Sequence, residues 1–264
     1  MIILSSPGAV AFNIGAFPVY YYGICIAIAA LIGFWVSYGV IKNYYKDLRS
    51  DILFDVVTVA ILSGIIFARL YYCALNFDYY QNHFFEIFNI RQGGLAIQGG
   101  IFGGFIVTSL YCYFKKYPIL KLADICSYGL ITAQAIGRWG NFFNSEAYGF
   151  PSKHFIAVFI PENLRISGYE FYKYFHPTFL YESLLNILVL LILFFVVRKA
   201  VKNIDGLVFA YYLFLYSLVR FFVEALRIDC IVNVGALHAP QLVSLVTIFF
   251  AILFISYKRI KNKN

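Results

Sequence analysis

Charge is scarce in this sequence. Asp, Glu, Lys and Arg together make up 13% of 264 residues, about half the share that a globular chain carries. Residues 1–41 hold no charged side chain at all. A soluble domain of this length needs far more polar surface, so a soluble enzyme or binding module is excluded. Cysteine offers no framework: Cys25, Cys73, Cys112, Cys126 and Cys230 are odd in number, scattered and without CxxC spacing. They read as small buried hydrophobes rather than as a disulfide scaffold or a metal site. No metal-ligating cluster, P-loop or Ser-His-Asp arrangement stands out, so no cofactor is expected. The net charge of +8 does not point to nucleic acid, because the cations sit between apolar blocks instead of forming a basic stripe interleaved with aromatics. A cleavable secretory leader is not expected either, since the first cation is Lys42 and no small-residue cleavage site follows a short apolar core.

What is present is a series of apolar blocks long enough to cross a bilayer. Seven spans are expected at 18–41, 52–75, 94–114, 122–143, 178–197, 206–226 and 237–257, each near the roughly 20 residues that the hydrocarbon core demands. The fold class is therefore an all-α polytopic membrane protein, a single integral membrane domain over residues 1–264. Span 94–114 is glycine-rich at its start and is expected to begin as a broken or re-entrant segment. Gly99/Gly103 and Gly100/Gly104 have the small-xxx-small spacing that lets helices approach closely. Neither a tandem repeat nor a low-complexity linker is visible.

The cations set the orientation. Lys42, Lys46, Arg49, Lys115, Lys116, Lys121, Arg198, Lys199, Lys202, Lys258, Arg259, Lys261 and Lys263 are thirteen of the 21 Lys and Arg residues, and all fall on one side of a seven-span chain. The positive-inside rule makes that side cytoplasmic, with the N-terminus outside. The outer side then carries one long connection, residues 144–177, broken by Pro151, Pro161, Gly168 and Pro177. It reads as a small external subdomain inserted in the helical domain, with a short strand over 155–160.

Of the other eight cations, Arg69, Arg138, Arg220 and Arg227 lie within or at the edge of apolar spans, in what this topology makes the outward half. An ionised group there needs a partner or a watery cavity. Arginine offers a planar fork that grips phosphate through paired hydrogen bonds, so a site for an anionic head group is one reading. The other is a set of interhelical ion pairs with Glu146, Glu182 and Glu224, of which Arg220 and Glu224 stand at i, i+4. The two are compatible, since a phosphate site needs its arginines held in place.

One stretch combines an arginine, two asparagines and a glutamate at a membrane boundary: Gly137-Arg138-Trp139-Gly140-Asn141-Phe142-Phe143-Asn144-Ser145-Glu146-Ala147-Tyr148-Gly149. A plain helix terminus explains one asparagine and a glycine, not the whole set. This stretch resembles the hallmark of bacterial prolipoprotein diacylglyceryl transferases. Tyr22-Gly23, Ala68-Arg69 with Tyr71-Tyr72, the glycine-rich run from Gly93 to Gly100, His176-Pro177-Thr178-Phe179-Leu180-Tyr181-Glu182-Ser183, Arg220-Phe221 with Glu224 and Arg227, and Gln241 to Ser244 resemble further motifs of that family in the same order. The resemblance covers nearly the whole chain, and the motifs at 137–149 and 176–183 are the specific ones. Two departures stand out. The family often has histidine, a leading candidate for the catalytic base, where this chain has Gln98, and arginine where it has His238. Glutamine cannot serve as a base.

The resemblance implies transfer of the diacylglyceryl group of phosphatidylglycerol to the lipobox cysteine of a prolipoprotein that still carries its signal peptide. It also implies residence in the bacterial cytoplasmic membrane, among membrane lipid. Arg138, Arg220, Glu146 and His176 are the expected catalytic residues, the two arginines on the phosphate. Tyr22, Arg69, Gln98, Asn141, Asn144, Gly149, Glu182, Glu224 and Arg227 are expected to bind substrate or orient those that do. Glu146 and His176 are both open as the base, and water is a third route for the thiol proton. His176, preceding Pro177, also reads as a cap of the long connection. The rival classes are an anion transporter, which would tend to be built from internal repeats, and a phospholipid-binding scaffold without catalysis.

Overall fold

The computed structural model describes the chain except residues 1, 91–92, 202–203, 230–232, 236 and 263–264. Lys202, Cys230 and Lys263, singled out above, lie outside the described residues. Seven helices are long and apolar enough to cross a membrane: α1 (Tyr21–Tyr44), α2 (Asp51–Leu75), α3 (Ile97–Lys115), α4 (Ile119–Phe143), α5 (Thr178–Ala200), α6 (Leu207–Glu224) and α7 (Ala239–Lys261). They match the seven expected spans, each end falling within about four residues of its expected place. Residues 17–20 belong to a hairpin rather than to the first span, and the third helix starts at Ile97, after Gly93 and Gly94 at φ 86° and 73°. The helices turn large apolar side chains outward, such as Leu31, Trp35, Phe105 and Phe250. A helix can do this in lipid because its backbone hydrogen bonds are satisfied internally.

Two compact units make up the chain. The first comprises residues 1–37 and 123–264, the second residues 38–122, with α1 running from one into the other. In the first unit, α1 and α4 meet at Gly33 and Gly129. A Cβ added to Gly33 would come within 2.7 Å of the Gly129 carbonyl, so only paired glycines permit the approach, and Ser37 donates to the Ile125 carbonyl beside it at 3.3 Å. Asp124 on α4 accepts from the amides of Gly206 at 2.6 Å and Phe209 at 2.7 Å. This buried carboxylate caps the start of α6, satisfying amides that a helix N-terminus leaves open and fixing the height of that helix. Within α5, Leu193–Val197 forms a π-helical turn. At the start of α7, the His238 amide donates to Gln241 Oε1 at 3.0 Å and Gln241 Nε2 reaches the Phe221 carbonyl at 3.3 Å. These bonds tie α7 to the end of α6.

Between α4 and α5, residues 144–177 fold around a three-stranded sheet. Its central strand is β4 (Ile156–Phe159), the strand expected at 155–160. It pairs in parallel with β1 (Ile2–Ser5) and antiparallel with β5 (Tyr174–Phe175). Tyr148, Val158, Ile160, Phe175 and Phe179 form the buried cluster beneath. The N-terminal segment thus completes a sheet that the connection alone could not close. The residues between form a separate hairpin of β2 (Val10–Ile14) and β3 (Phe17–Tyr20). A further two-stranded ribbon, β6 (Asn233–Val234) and β7 (Leu237–His238), precedes α7.

In the second unit, α3 lies on α2 through small residues. Cβ atoms added to Gly100 and Gly104 would meet the carbonyls of Gly64 and Ala60 at 3.2 and 3.3 Å, and one added to Gly99 would stand 2.5 Å from the Phe67 carbonyl. The small-xxx-small pattern does bring two backbones together. At the far end of the unit, Lys121 pairs with Asp47 at 2.7 Å and the Tyr117 hydroxyl donates to Asp55 at 3.1 Å.

Candidate functional site

The first unit gathers three arginines into one ladder. Arg138 Nη2 lies 2.6 Å from Glu182 Oε1, and Arg220 Nη1 reaches the other oxygen of the same carboxylate at 3.1 Å. Arg220 Nη2 pairs with Glu224 at 2.5 Å, and Arg227 Nη1 stands 3.5 Å from that carboxylate. Arg227 closes the series with a bidentate contact to Asp229, Nε at 2.8 Å and Nη2 at 2.7 Å. Guanidinium and carboxylate therefore alternate across α4, α5 and α6 and just past the end of α6. Their burial is unequal: the side chains of Glu182 and Glu224 are 3% and 1% exposed, those of Arg138 and Arg220 21% and 16%. Glu182 and Glu224 sit behind Arg138 and Arg220, whereas Asp229 is more exposed than Arg227. Such an arrangement neutralises the buried charge, as an apolar surrounding requires, and still presents arginine outward.

The segment after Arg138 continues the chain of contacts. Arg138 Nη1 donates to Asn141 Oδ1 at 3.4 Å, and the amides of Asn141 and Asn144 donate to Glu146 Oε1 at 2.8 and 3.4 Å. Glu146 folds back onto these asparagines because the backbone turns sharply: Ser145 and Ala147 hold φ of 54° and 55°. Left-handed conformations at residues with a side chain carry strain and concentrate at functional sites. Tyr22, in the first turn of α1, packs its ring on Gly140, where an added Cβ would come within 2.7 Å of it. Arg138 and Glu146 are both within electrostatic reach of its hydroxyl.

This pattern of residues coincides with a known family. A model of the prolipoprotein diacylglyceryl transferase family matches residues 9–257. The chain belongs to the prolipoprotein diacylglyceryl transferase family. It is 40% identical over 257 residues to the phosphatidylglycerol–prolipoprotein diacylglyceryl transferase of Clostridium botulinum, covering 96% of this chain and 99% of that one. To the protein of the same name from Clostridium novyi it is 43% identical over 259 residues, covering 97% of each. To that of Staphylococcus epidermidis it is 40% identical over 258 residues, 96% of this chain and 89% of the other. The chain is a multi-pass membrane transferase.

Within this member of the transferase family, Tyr22, Arg138, Asn141, Asn144, Glu146, Glu182, Arg220, Glu224 and Arg227 all belong to the first unit and form the connected set just described. Gly149 belongs there too, in a backbone role. It bridges to Arg227 and donates its amide to the His176 carbonyl at 3.0 Å. An added Cβ would meet the Leu226 carbonyl at 2.6 Å and the His176 Cβ at 3.0 Å, so this glycine lets the end of α6 lie against the start of α5. His176 shares Nδ1 with the Tyr181 hydroxyl at 3.1 Å and lies against the His154 ring, centroids 5.0 Å apart. Burial first, and the neighbouring His154 second, hold its pKa below the usual imidazole value.

Arg69 and Gln98 belong to the second unit. Gln98 is exposed in the first turn of α3. Arg69 is committed to backbone carbonyls. Its Nε donates to the Ile87 carbonyl at 2.8 Å and Nη1 to those of Gly93 and Gly94, both at 2.9 Å. Nη2 donates to Glu86 at 2.6 Å and Asn89 at 3.3 Å. A guanidinium has five N–H donors, and all five are spent on the segment that leads into α3. The residue is 6% exposed, with the Tyr80 ring 5.3 Å from its guanidinium carbon.

Two buried or ion-paired carboxylates escaped the sequence reading. Asp229 pairs with Arg227 through two contacts, and its position two residues beyond that arginine was the available signal. Asp124, an acidic residue inside an apolar span, carried the flag that any intramembrane charge carries.

Proposed function

We propose that this chain transfers the diacylglyceryl group of phosphatidylglycerol to the thiol of a lipobox cysteine in a prolipoprotein, the first step of lipoprotein maturation. The reading rests on membership of the family, whose relatives are named for these two substrates. The observation that carries it at the residue level is the line of guanidinium groups fronting buried carboxylates. In the reaction the thiolate attacks the glycerol carbon that bears the phosphate ester. A C–S bond forms, the C–O bond breaks, and glycerol phosphate leaves.

Negative charge grows on the departing phosphate, so donors already aimed at it lower the barrier. Arg138 and Arg220 take that role, held in fixed planes by Glu182 between them. Arg227 extends the row, and Glu224 orients both Arg220 and Arg227. Tyr22, Asn141 near the end of α4 and Asn144 just after it face the glycerol head group. The thiol must lose its proton, because the thiolate is the nucleophile. Glu146 is the acceptor this geometry favours: it is exposed, beside Arg138, and held by asparagine amides rather than by a guanidinium. His176 then caps the connection between α4 and α5, and Gln98 positions substrate. The ladder lies near the outer leaflet of the bacterial cytoplasmic membrane, with residues 144–177 as an external subdomain and the C-terminus in the cytoplasm.

Incubating the purified protein with phosphatidylglycerol and a lipobox peptide tests the activity. A mass gain of one diacylglyceryl group on the cysteine is expected, with glycerol phosphate released. Head-group binding without any mass gain would leave a lipid-binding scaffold instead. Reporter fusions near Lys153 and after Asn264 are expected to score as external and cytoplasmic, and the reverse at either end overturns the orientation.

A further inference from the structure

Beneath the ladder the core of the first unit stays polar where lipid-buried helices would be served by leucine. Asn186 follows Glu182 by one turn of α5, and Gln134 precedes Arg138 by one turn of α4, so each shares a face with its ladder residue. Asn186 is 0% exposed, and among the described residues neither Oδ1 nor Nδ2 meets a protein partner; Gln134 Oε1 is likewise sealed and unmet among them. The two helices are tied at this level by Ser183, whose hydroxyl donates to the Ala135 carbonyl at 2.8 Å. The Gln134 side chain lies beside Tyr212 of α6. At the upper edge, Glu182 Oε1 lies close to Arg138 but without the angle of a hydrogen bond. Buried polar atoms are almost always partnered, and a closed polar space with several such atoms is where internal water binds.

We propose that Asn186, Gln134 and Glu182 form a buried water-binding site one turn beneath the arginine ladder. Side chains one turn apart on a helix stand about 6 Å apart at Cβ, a gap that a single water bridges. The amide of Asn186 offers both a donor and an acceptor, so it holds a water in either orientation. The bound water completes the hydrogen bonding of Glu182 and so sets the plane in which that carboxylate presents Arg138 and Arg220. Asn186 and Gln134 are positioning residues that touch no substrate. The functional part of the inference rests on the assignment of those two arginines to the donor phosphate.

Hydroxyl-radical footprinting by X-ray radiolysis of the purified enzyme tests it, because bound water labels the side chains beside it even when they are buried. Tyr212, itself buried, is expected to be labelled in the wild type and to lose most of that label in Asn186→Leu, which keeps the branched skeleton and removes both polar atoms. The same variant is expected to keep its thermal stability and the KM for phosphatidylglycerol while kcat falls about tenfold, as for partners that orient a contacting group. Asn186→Ser, which keeps a hydroxyl and leaves room for water, restores most of the label and the rate. An unlabelled Tyr212 in the wild type, or a fully active Asn186→Leu, overturns the proposal. So does a parallel loss of stability and rate in both variants, which marks a packing role. If instead the labelling pattern holds while Arg138→Lys keeps its rate, the phosphate assignment fails and the water site stands.

Discussion

Replacing Arg69 by lysine keeps the charge and discards the geometry. The carbonyls of Glu86, Ile87, Asn89, Gly93 and Gly94 surround three different nitrogens of one planar group. An ammonium has three donors radiating from a single atom, so at least two of the five carbonyls lose their partner. A hydrogen bond from a charged donor contributes about 1.5–3 kcal/mol, and a buried acceptor left unmet costs its desolvation. Roughly 3 kcal/mol is therefore the lower end of the expected destabilisation of Arg69→Lys. It should be concentrated in the segment before α3, because every lost bond lies between residues 86 and 94. The assay combines thermal unfolding in detergent, limited proteolysis of residues 84–96 and the transfer rate on the same samples. Expected are a lower Tm, faster cleavage in that segment, and a rate loss that follows the loss of folded protein. Unchanged Tm and protease resistance with a collapsed rate would mean that Arg69 acts on substrate and that the clamp has been misread.

Arg138→Lys and Arg220→Lys are expected to fold and insert normally but to transfer about a hundredfold more slowly, roughly 3 kcal/mol at a developing charge. Normal rates in both, or losses that merely track unfolding, remove the phosphate contact. Gln98→Ala is expected to lower the rate less than Arg138→Ala, since an amide positions and does not accept a proton; the opposite order defeats that role. His176 gives a pH signature. Its folded pKa lies below the unfolded value, so the unfolded chain binds the extra proton first. Stability is then fully present above about pH 6.5 and is lost as pH falls through the folded pKa. Melting curves between about pH 5 and 8 should show this loss, and His176→Gln should flatten it; an unchanged slope in the variant would falsify the assignment.

The parts of the fold that were legible in the sequence are those governed by local rules. Span length and apolar content follow from bilayer thickness, and all seven helices fall where that rule puts them. The spacing of Gly100 and Gly104 was enough to foresee a close helix contact, and the i, i+4 spacing of Arg220 and Glu224 to foresee their pair. The motif from Gly137 to Gly149 marked the site because so many hydrogen-bonding groups at a membrane boundary need a use.

Tertiary structure decided the partners. The sequence by itself established that Arg69, Arg138, Arg220 and Arg227 all need compensation, since charge in an apolar surrounding is costly wherever it sits. It could not say that Glu182 serves both Arg138 and Arg220, on two other helices, or that Arg69 holds a segment of backbone. It read β4 as a strand but not its parallel partner β1, at the other end of the unit's chain path. Periodicity and spacing report which face of an element is apolar and which neighbours share it. Which faces meet, and which carbonyl or carboxylate then stands before each guanidinium, depends on how the helices pack, a property of the whole chain and of no short stretch of it.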